Sequence, residues 1–220
     1  MPYGFDPNDH KIKIDNLEYP WDKYANCIPY VYAGAFLPNS GLFIDLLFKS
    51  IAELKKENKF NENIKLFFLG TGNYSHKSIT DYSQDHGISD FVVEIRDRFP
   101  YLHILNYLSA AKGVLLIGST EKHYTASKTY QSLLSERPVF AVMHGESSAV
   151  DVFKECNADD FLAKYDENGN EDIFKSSIEK SFSKYIQFES EYKIDLNKLE
   201  KYSAKKSAEV LKIGIEKAIR

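Results

Sequence analysis

Short apolar runs alternate with helical patterns along most of this chain. After an irregular first 27 residues rich in turn formers, six apolar runs predict buried strands at 28–36, 64–69, 91–95, 114–117, 138–143 and 161–164. These runs are continuously apolar, and no two of them are joined by a hairpin turn. The pattern therefore predicts an α/β, doubly wound (Rossmann-like) fold, with a parallel sheet of about six strands and helices on both faces.

The segments between the strands have the spacing of amphipathic helices. Apolar residues recur three and four positions apart, most clearly between Leu42 and Leu54. Helices are predicted over 42–57, 76–86, 101–111, 127–135 and 147–155, and from 171 onward. Gly87 is expected to cap the second of these helices. In the final helix, predicted over 196–220, we expect Leu199, Tyr202, Val210 and Ile213 to lie on one side.

This pattern divides the chain into three parts. Residues 1–27 read as an interdomain linker, 28–195 as one binding domain, and 196–220 as a C-terminal helix. The first part is dense in turn formers, with Pro2, Gly4 and Pro7 close together.

Composition narrows the class of protein. The 220 residues carry a net charge of -4 with both signs interspersed, which argues against a dedicated nucleic-acid binder. Cys27 and Cys156 form no CxxC pair, and the six histidines lack metal-ligand spacing, so no metal site is expected. No apolar run approaches the ~20 residues of a membrane span, and the N-terminus lacks signal-peptide features. We therefore predict a cytoplasmic protein.

Several nucleotide-binding and hydrolase motifs are missing. Gly70-Thr71-Gly72 lacks the third glycine of a dinucleotide fingerprint and follows the second strand, not the first. No GxxxxGK segment is present, which excludes P-loop chemistry on motif grounds. No G-x-S-x-G elbow supplies a hydrolase nucleophile either.

One loop carries the most informative candidate chemistry. Ligands of doubly wound folds bind at the carboxyl ends of the strands, and the loop 119–128 follows the fourth strand there. Ser127 is predicted to cap the next helix, whose free N–H groups favour an anion. The positive charge of Lys128 in the first turn is unfavourable beside the positive end of the helix dipole unless an anion lies between them. The alternative is that Lys128 reaches solvent. Gln131, one turn later, is placed to hydrogen-bond ribose hydroxyls.

Three segments resemble a known family. Residues 98–101, 116–119 and 127–139 are similar to the donor domain of group 1 glycosyltransferases of the GT-B fold, whose members often carry a Ser-Lys-x-(Tyr/Phe)-Glu segment followed by Pro-(Val/Ile). The resemblance spans residues 28–165, including the order of elements. It implies transfer of a sugar from a nucleotide sugar, expected to proceed with retention in a hexosyltransferase-type reaction of polysaccharide biosynthesis. No metal or other cofactor is expected.

The resemblance also implies roles for individual residues. Lys128 would be the catalytic group beside the donor diphosphate, and Gln131 stands where many members have a ribose-binding glutamate. His123 stands where a first glutamate often lies. The segment containing Arg98 and Tyr101 would hold the base. The loop after the first strand, which begins at Gly34, would approach the phosphates, although it lacks the Arg and Lys pair common in the family. Gly70 is a candidate by position alone, because its loop follows the second strand at the same end of the sheet.

The resemblance further implies a partner domain. Residues 2–6 resemble the family's hinge, and the final helix resembles the one that crosses to an N-terminal acceptor domain. We expect that acceptor domain to be missing and the chain alone to transfer little. Membrane association, at the inner face, is expected only through the missing half. Two other hypotheses stay open: a nonenzymatic nucleotide- or partner-binding Rossmann-like module, and a sugar-nucleotide epimerase fragment, whose carboxylate and histidine groups we cannot place.

Overall fold

A six-stranded parallel sheet forms the centre of the molecule, with strand order β3-β2-β1-β4-β5-β6. The computed structural model describes residues 4–123 and 127–219. The strands are β1 (Ile28–Ala33), β2 (Ile64–Leu69), β3 (Val92–Ile95), β4 (Gly113–Ile117), β5 (Val139–His144) and β6 (Leu162–Tyr165). All five neighbouring pairs are parallel, so the predicted doubly wound α/β fold is confirmed.

Helices cover both faces of this sheet. They are α1 (Gly41–Lys56), α2 (Ile79–Asp85), α3 (Tyr101–Ala110), α4 (Lys128–Leu134), α5 (Ser148–Glu155), α6 (Glu171–Ile186) and α7 (Ala204–Ile219). Side chains from α1, α2 and α6 form the apolar core on one face. Those from α3, α4 and α5 form the core on the other. Burial of strand side chains on both faces explains why the strands are continuous apolar runs.

The observed end of β1 and the observed start of α2 differ from the predicted positions for local reasons. The first strand ends at Ala33 and not at residue 36, because Gly34 turns the backbone with a φ of +126°. The second helix begins at Ile79 and not at residue 76, because Ser78 and Asp81 form a capping box there. Gly87 follows this helix with a left-handed φ of +64°, as its predicted capping position requires.

The N-terminal segment packs along the face that carries α3 and α4. Phe5 is buried and stacks on Tyr130 of α4, with ring centroids 5.3 Å apart. Further along, Trp21 meets the edge of Phe67 on β2 at 5.6 Å. The division of the chain at residues 27 and 195 stays a prediction, but residues 5–24 have their own contacts with the sheet domain.

The C-terminal region consists of two elements and not one helix. A 3-10 turn (Leu196–Tyr202) is separated from α7 by Ser203, whose extended ψ of 156° breaks the helical path. Leu199 is buried, whereas Val210 and Ile213 are each 52% exposed. The predicted single helix over 196–220 is therefore wrong, because Leu199 and Tyr202 belong to the 3-10 turn and Val210 and Ile213 to α7. Among the described residues, no helix has both the length and the apolar character needed to cross a membrane.

Candidate functional site

The candidate site lies where the winding of the sheet reverses. β1 and β4 are neighbours at the centre of the sheet, and the chain proceeds from them toward opposite edges. The loops that follow these two strands therefore diverge and leave a crevice at their carboxyl ends, the usual ligand position in this fold class. The two loops are also tied together, because Ser40 Oγ donates to the carbonyl of Gly118 at 2.5 Å and Thr120 N donates to that of Asn39 at 3.1 Å.

Lys128, the first residue of α4, reaches across this crevice. Its Nζ donates to the Tyr32 hydroxyl at 2.7 Å and to the carbonyl of Ala35 at 3.1 Å. The same nitrogen lies 4.3 Å from the centroid of the Tyr32 ring, within the range of a cation–π contact. The ammonium group thus binds the loop after β1, and the alternative that it merely reaches solvent is wrong.

Gly34 makes the path of this lysine possible. A β-carbon at residue 34 would overlap Lys128 Cε and would lie 2.8 Å from Nζ. The φ of +126° at Gly34 is also one that other residues rarely adopt. Both the backbone turn and the close approach of the lysine therefore require glycine here.

The electrostatic environment of Lys128 is unusual for a lysine. Burial lowers the pKa of its ammonium group to about 7, and no charge in the described part of the chain contributes to this shift. Among the described residues, no carboxylate forms an ion pair with it, although thirteen such pairs occur elsewhere in this part of the chain. Enclosed cations are normally paired, so this position suits an anionic ligand.

A cavity of about 190 Å³ lies beside Lys128. Its polar lining comes from Tyr101 on α3 and from Ser127, Lys128, Gln131 and Ser132 at α4, and its remaining lining is apolar. Gln131 Oε1 is buried without a hydrogen-bond partner in the described chain. The structure thus brings four of the predicted site residues around one small cavity, with Gly34 against the lysine.

The predicted side-chain cap at Ser127 is wrong. Ser127 occupies the N-cap position, but its φ of −55° and ψ of −26° are already helical and its side chain makes no capping hydrogen bond. A capping serine needs an extended backbone for its oxygen to reach the N–H groups of the first turn. Because α4 has only seven residues, its dipole adds little, and the case for an anion depends on Lys128.

Three other predicted residues do not meet at this cavity. Arg98 and His123 are exposed and do not line it. Gly70 follows the last residue of β2 with a left-handed φ of +70°, and its N–H donates to the carbonyl of Ile95 at 2.8 Å. Of the predicted loop 119–128, residues 124–126 lie outside the described residues.

Sequence reasoning missed a buried carboxylate on β3. The Glu94 side chain is 3% exposed and accepts hydrogen bonds from the Thr71 and Tyr74 hydroxyls at 2.8 and 2.5 Å. It also accepts two from Thr80, through the backbone N–H and the hydroxyl, at 3.2 and 3.0 Å. These bonds fix the loop after β2. A charged residue within the apolar run Val-Val-Glu-Ile was the available signal.

A larger cavity of about 890 Å³ lies away from the crevice, at the opposite end of α4. The N-terminal segment, residues 134–137 and the start of α7 line it, and none of the predicted site residues does. Within residues 4–123 and 127–219, no three His, Cys, Asp or Glu side chains cluster as metal ligands would.

Comparison with known proteins identifies relatives by fold. No family model and no curated protein sequence matches this chain. Among solved structures, it is similar to WaaG, a glycosyltransferase involved in lipopolysaccharide biosynthesis (TM-score 0.57, 13% identity, covering 83% of this chain and 46% of WaaG). It is similar to the pneumococcal O-GlcNAc transferase GtfA in complex with UDP and GlcNAc (TM-score 0.62, 16% identity, covering 88% of this chain and 36% of GtfA). It also resembles S. aureus MnaA bound to UDP (TM-score 0.60, 14% identity, covering 94% of this chain and 49% of MnaA).

These similarities establish a shared fold. The chain spans between 36% and 49% of the length of these three proteins, so it corresponds to part of each.

Proposed function

We propose that this chain is the nucleotide-sugar donor-binding domain of a GT-B-fold glycosyltransferase. The observation that carries the proposal is the enclosed Lys128 ammonium at the β1–β4 crevice, which has no anionic partner among the described residues. A nucleoside diphosphate supplies the missing negative charge, at the edge of the sheet where such folds bind ligands.

The solved relatives support this choice of ligand. GtfA was determined with UDP and GlcNAc, and MnaA with UDP. Both share the fold over most of this chain, and the crevice between β1 and β4 is where that fold offers a nucleotide site. A UDP-type ligand is therefore the first to test here, with GDP and ADP as alternatives.

We assign a separate role in nucleotide binding to each of three residues around the crevice. Lys128 would bind the diphosphate and stabilise the charge that develops on it as the bond to the sugar breaks. Gln131, whose Oε1 has no partner among the described residues, would accept a hydrogen bond from a ribose hydroxyl. Tyr101, 48% exposed at the mouth of the cavity, would pack against the nucleoside.

Complete transfer requires an acceptor site as well. We propose that a second domain supplies it, since the glycosyltransferases WaaG and GtfA are more than twice as long as the part this chain matches. The apolar side chains that α7 exposes, at Val210, Leu211, Ile213 and Ile215, give that domain a surface to cover.

Calorimetric titration of UDP, GDP and ADP tests the proposal. Lys128→Ala should weaken binding of the preferred nucleotide ~10- to 100-fold, the effect of losing a hydrogen-bonding charge. Lys112→Ala is the matched control, because Lys112 pairs with Glu189 at the amino end of β4, away from the crevice. The Lys112→Ala variant should bind the preferred nucleotide with the same affinity as the wild type.

Two results would count against the proposal. Equal affinities of wild type and Lys128→Ala would remove the assigned site. Absence of binding for all three nucleotides would favour a module that binds another partner on the same fold.

A further inference from the structure

The hydroxyl of Tyr32 links the candidate lysine to the loop after β1. Tyr32 is 2% exposed and lies one residue before the end of β1. Its hydroxyl donates to the carbonyl of Ala35 at 2.7 Å and accepts from Lys128 Nζ at 2.7 Å. The same carbonyl also accepts from Nζ at 3.1 Å, so the three groups close a ring of hydrogen bonds.

We propose that Tyr32 is a positioning residue of the nucleotide site, which with the Ala35 carbonyl holds the Lys128 ammonium so that its remaining N–H meets the diphosphate. This inference rests on the proposed function and adds a residue that binds no ligand itself. Tyr32 acts through Lys128, because its hydroxyl is already engaged with both Lys128 and Ala35.

The geometry of an ammonium group supports this role. Lys128 has three N–H donors, and Tyr32 and Ala35 accept two of them. Among the described residues, no further acceptor takes the third. The face of the Tyr32 ring, 4.3 Å from the nitrogen, further restricts where the ammonium can lie. A lysine held on one side binds a phosphate with less loss of side-chain freedom than a free one.

The surroundings of Lys128 make the role measurable by pH. Within residues 4–123 and 127–219, the titratable groups that face it are Tyr32 from β1 and Tyr101 from α3, while β4 contributes the apolar Leu115 and Leu116. Burial lowers the pKa of Lys128 to about 7. A bound diphosphate favours the ammonium and raises that pKa, so binding above pH 7 takes up a proton.

The Tyr32 hydroxyl also favours the ammonium form, because its oxygen accepts a hydrogen bond from it. Loss of this hydroxyl should therefore lower the pKa of Lys128 further. Nucleotide affinity should begin to decline at a lower pH than in the wild type.

The test compares Tyr32→Phe with Tyr30→Phe. Tyr30 lies two residues earlier on the same strand, in the same core and equally buried, which makes it a matched control. The dissociation constant of UDP is measured from pH 6 to pH 9, with the melting temperature of each variant. Wild type and Tyr30→Phe should lose affinity above pH 7 by up to ~10-fold per pH unit.

Tyr32→Phe should bind ~5- to 10-fold more weakly at pH 7, the effect of losing one hydrogen bond of ordinary net strength that acts on the ligand only through Lys128. Its decline should begin at lower pH. A profile identical to that of the wild type would overturn the inference, and so would one that is uniformly weaker with an unmoved midpoint, since that indicates a purely structural effect.

A double variant separates positioning from folding. In a Lys128→Met background, Tyr32→Phe should cause no further loss of UDP affinity, and a further loss would contradict the inference. If the wild type binds none of UDP, GDP and ADP, the proposed function fails. If Lys128→Ala weakens binding and Tyr32→Phe leaves the pH profile unchanged, the proposed function stands and only the role of Tyr32 is lost.

Discussion

Replacing Lys128 by methionine should stabilise the fold while it weakens nucleotide binding. Methionine matches the lysine side chain as far as Cε and removes the ammonium group, which the fold encloses without a compensating charge among the described residues. Burial lowers the pKa of Lys128 from 10.5 to about 7. At about 1.4 kcal/mol per pH unit, this shift sets an upper limit of roughly 5 kcal/mol on the cost of the charged form.

The expected gain is smaller than this limit. Lys128 keeps partial exposure, and methionine forfeits two hydrogen bonds and a cation–π contact. No acceptor is orphaned, however, because the Ala35 carbonyl still accepts from the Tyr32 hydroxyl. We expect Lys128→Met to raise the free energy of unfolding at pH 7 by roughly 1–3 kcal/mol, because removing the buried charge gains more than the lost contacts cost.

The sign of the pH dependence gives a second check. The folded pKa of Lys128 lies below the unfolded value, so between about pH 7 and 10 the unfolded chain binds a proton that the native state does not. The contribution of Lys128 to stability therefore improves as pH rises through this window. The advantage of Lys128→Met over the wild type should be largest near pH 7 and should shrink toward pH 10.

Urea denaturation at pH 7, 8.5 and 10 measures these differences. UDP titration of the same samples should show ~10- to 100-fold weaker binding by the variant at pH 7. A variant less stable than the wild type at pH 7 would refute the reasoning, since it would mean that the ammonium contributes net stability. A difference in stability that does not change with pH would refute the assignment of its pKa.

Three further substitutions test other parts of the account. Gly34→Ala should cost ~1–2 kcal/mol of stability through its positive φ, and it should also weaken UDP binding by displacing Lys128. Gly72→Ala is the control, because residue 72 also has a positive φ (+83°) but no atom lies within 4 Å of its β-carbon, so only stability should fall. Melting curves and UDP titration separate the two effects. Glu94→Gln places amide N–H groups against donors and should lower the free energy of unfolding by ~1–3 kcal/mol, measured by urea denaturation; unchanged stability would show that these hydrogen bonds add nothing. Leu211 on α7 is 52% exposed, and we expect concentration-dependent self-association by light scattering that Leu211→Lys reduces; a wild type that is monomeric at all concentrations would contradict this.

The fold was predictable because its signal is local. Continuous apolar runs and helical spacing are properties of neighbouring residues, and they placed all six strands. The sequence pattern did not predict the break at Ser203, because Leu199 and Val210 have a spacing compatible with one helix. Only the packing shows that the first is buried and the second exposed. Local spacing thus predicts elements better than it predicts their ends.

The site was predictable only in part, because its contacts are distant in sequence. Lys128 and Gln131 lie on one helix, and their common cavity follows from their spacing. Tyr32 lies 96 residues from Lys128 and reads as one more aromatic in a buried strand, so nothing local marks its hydroxyl. Arg98 and His123 were assigned by resemblance, and the structure places both side chains in exposed positions.

Titration of the lysine side chains by NMR tests the central claim most directly. The spectrum of ¹³C-labelled protein is recorded between pH 5 and pH 11, and the Lys128 signal is assigned by its absence from Lys128→Met. The account predicts that Lys128 titrates near pH 7 without ligand and that saturating UDP raises its pKa by more than one unit. An ordinary lysine titration near pH 10.5 that UDP leaves unchanged would contradict it.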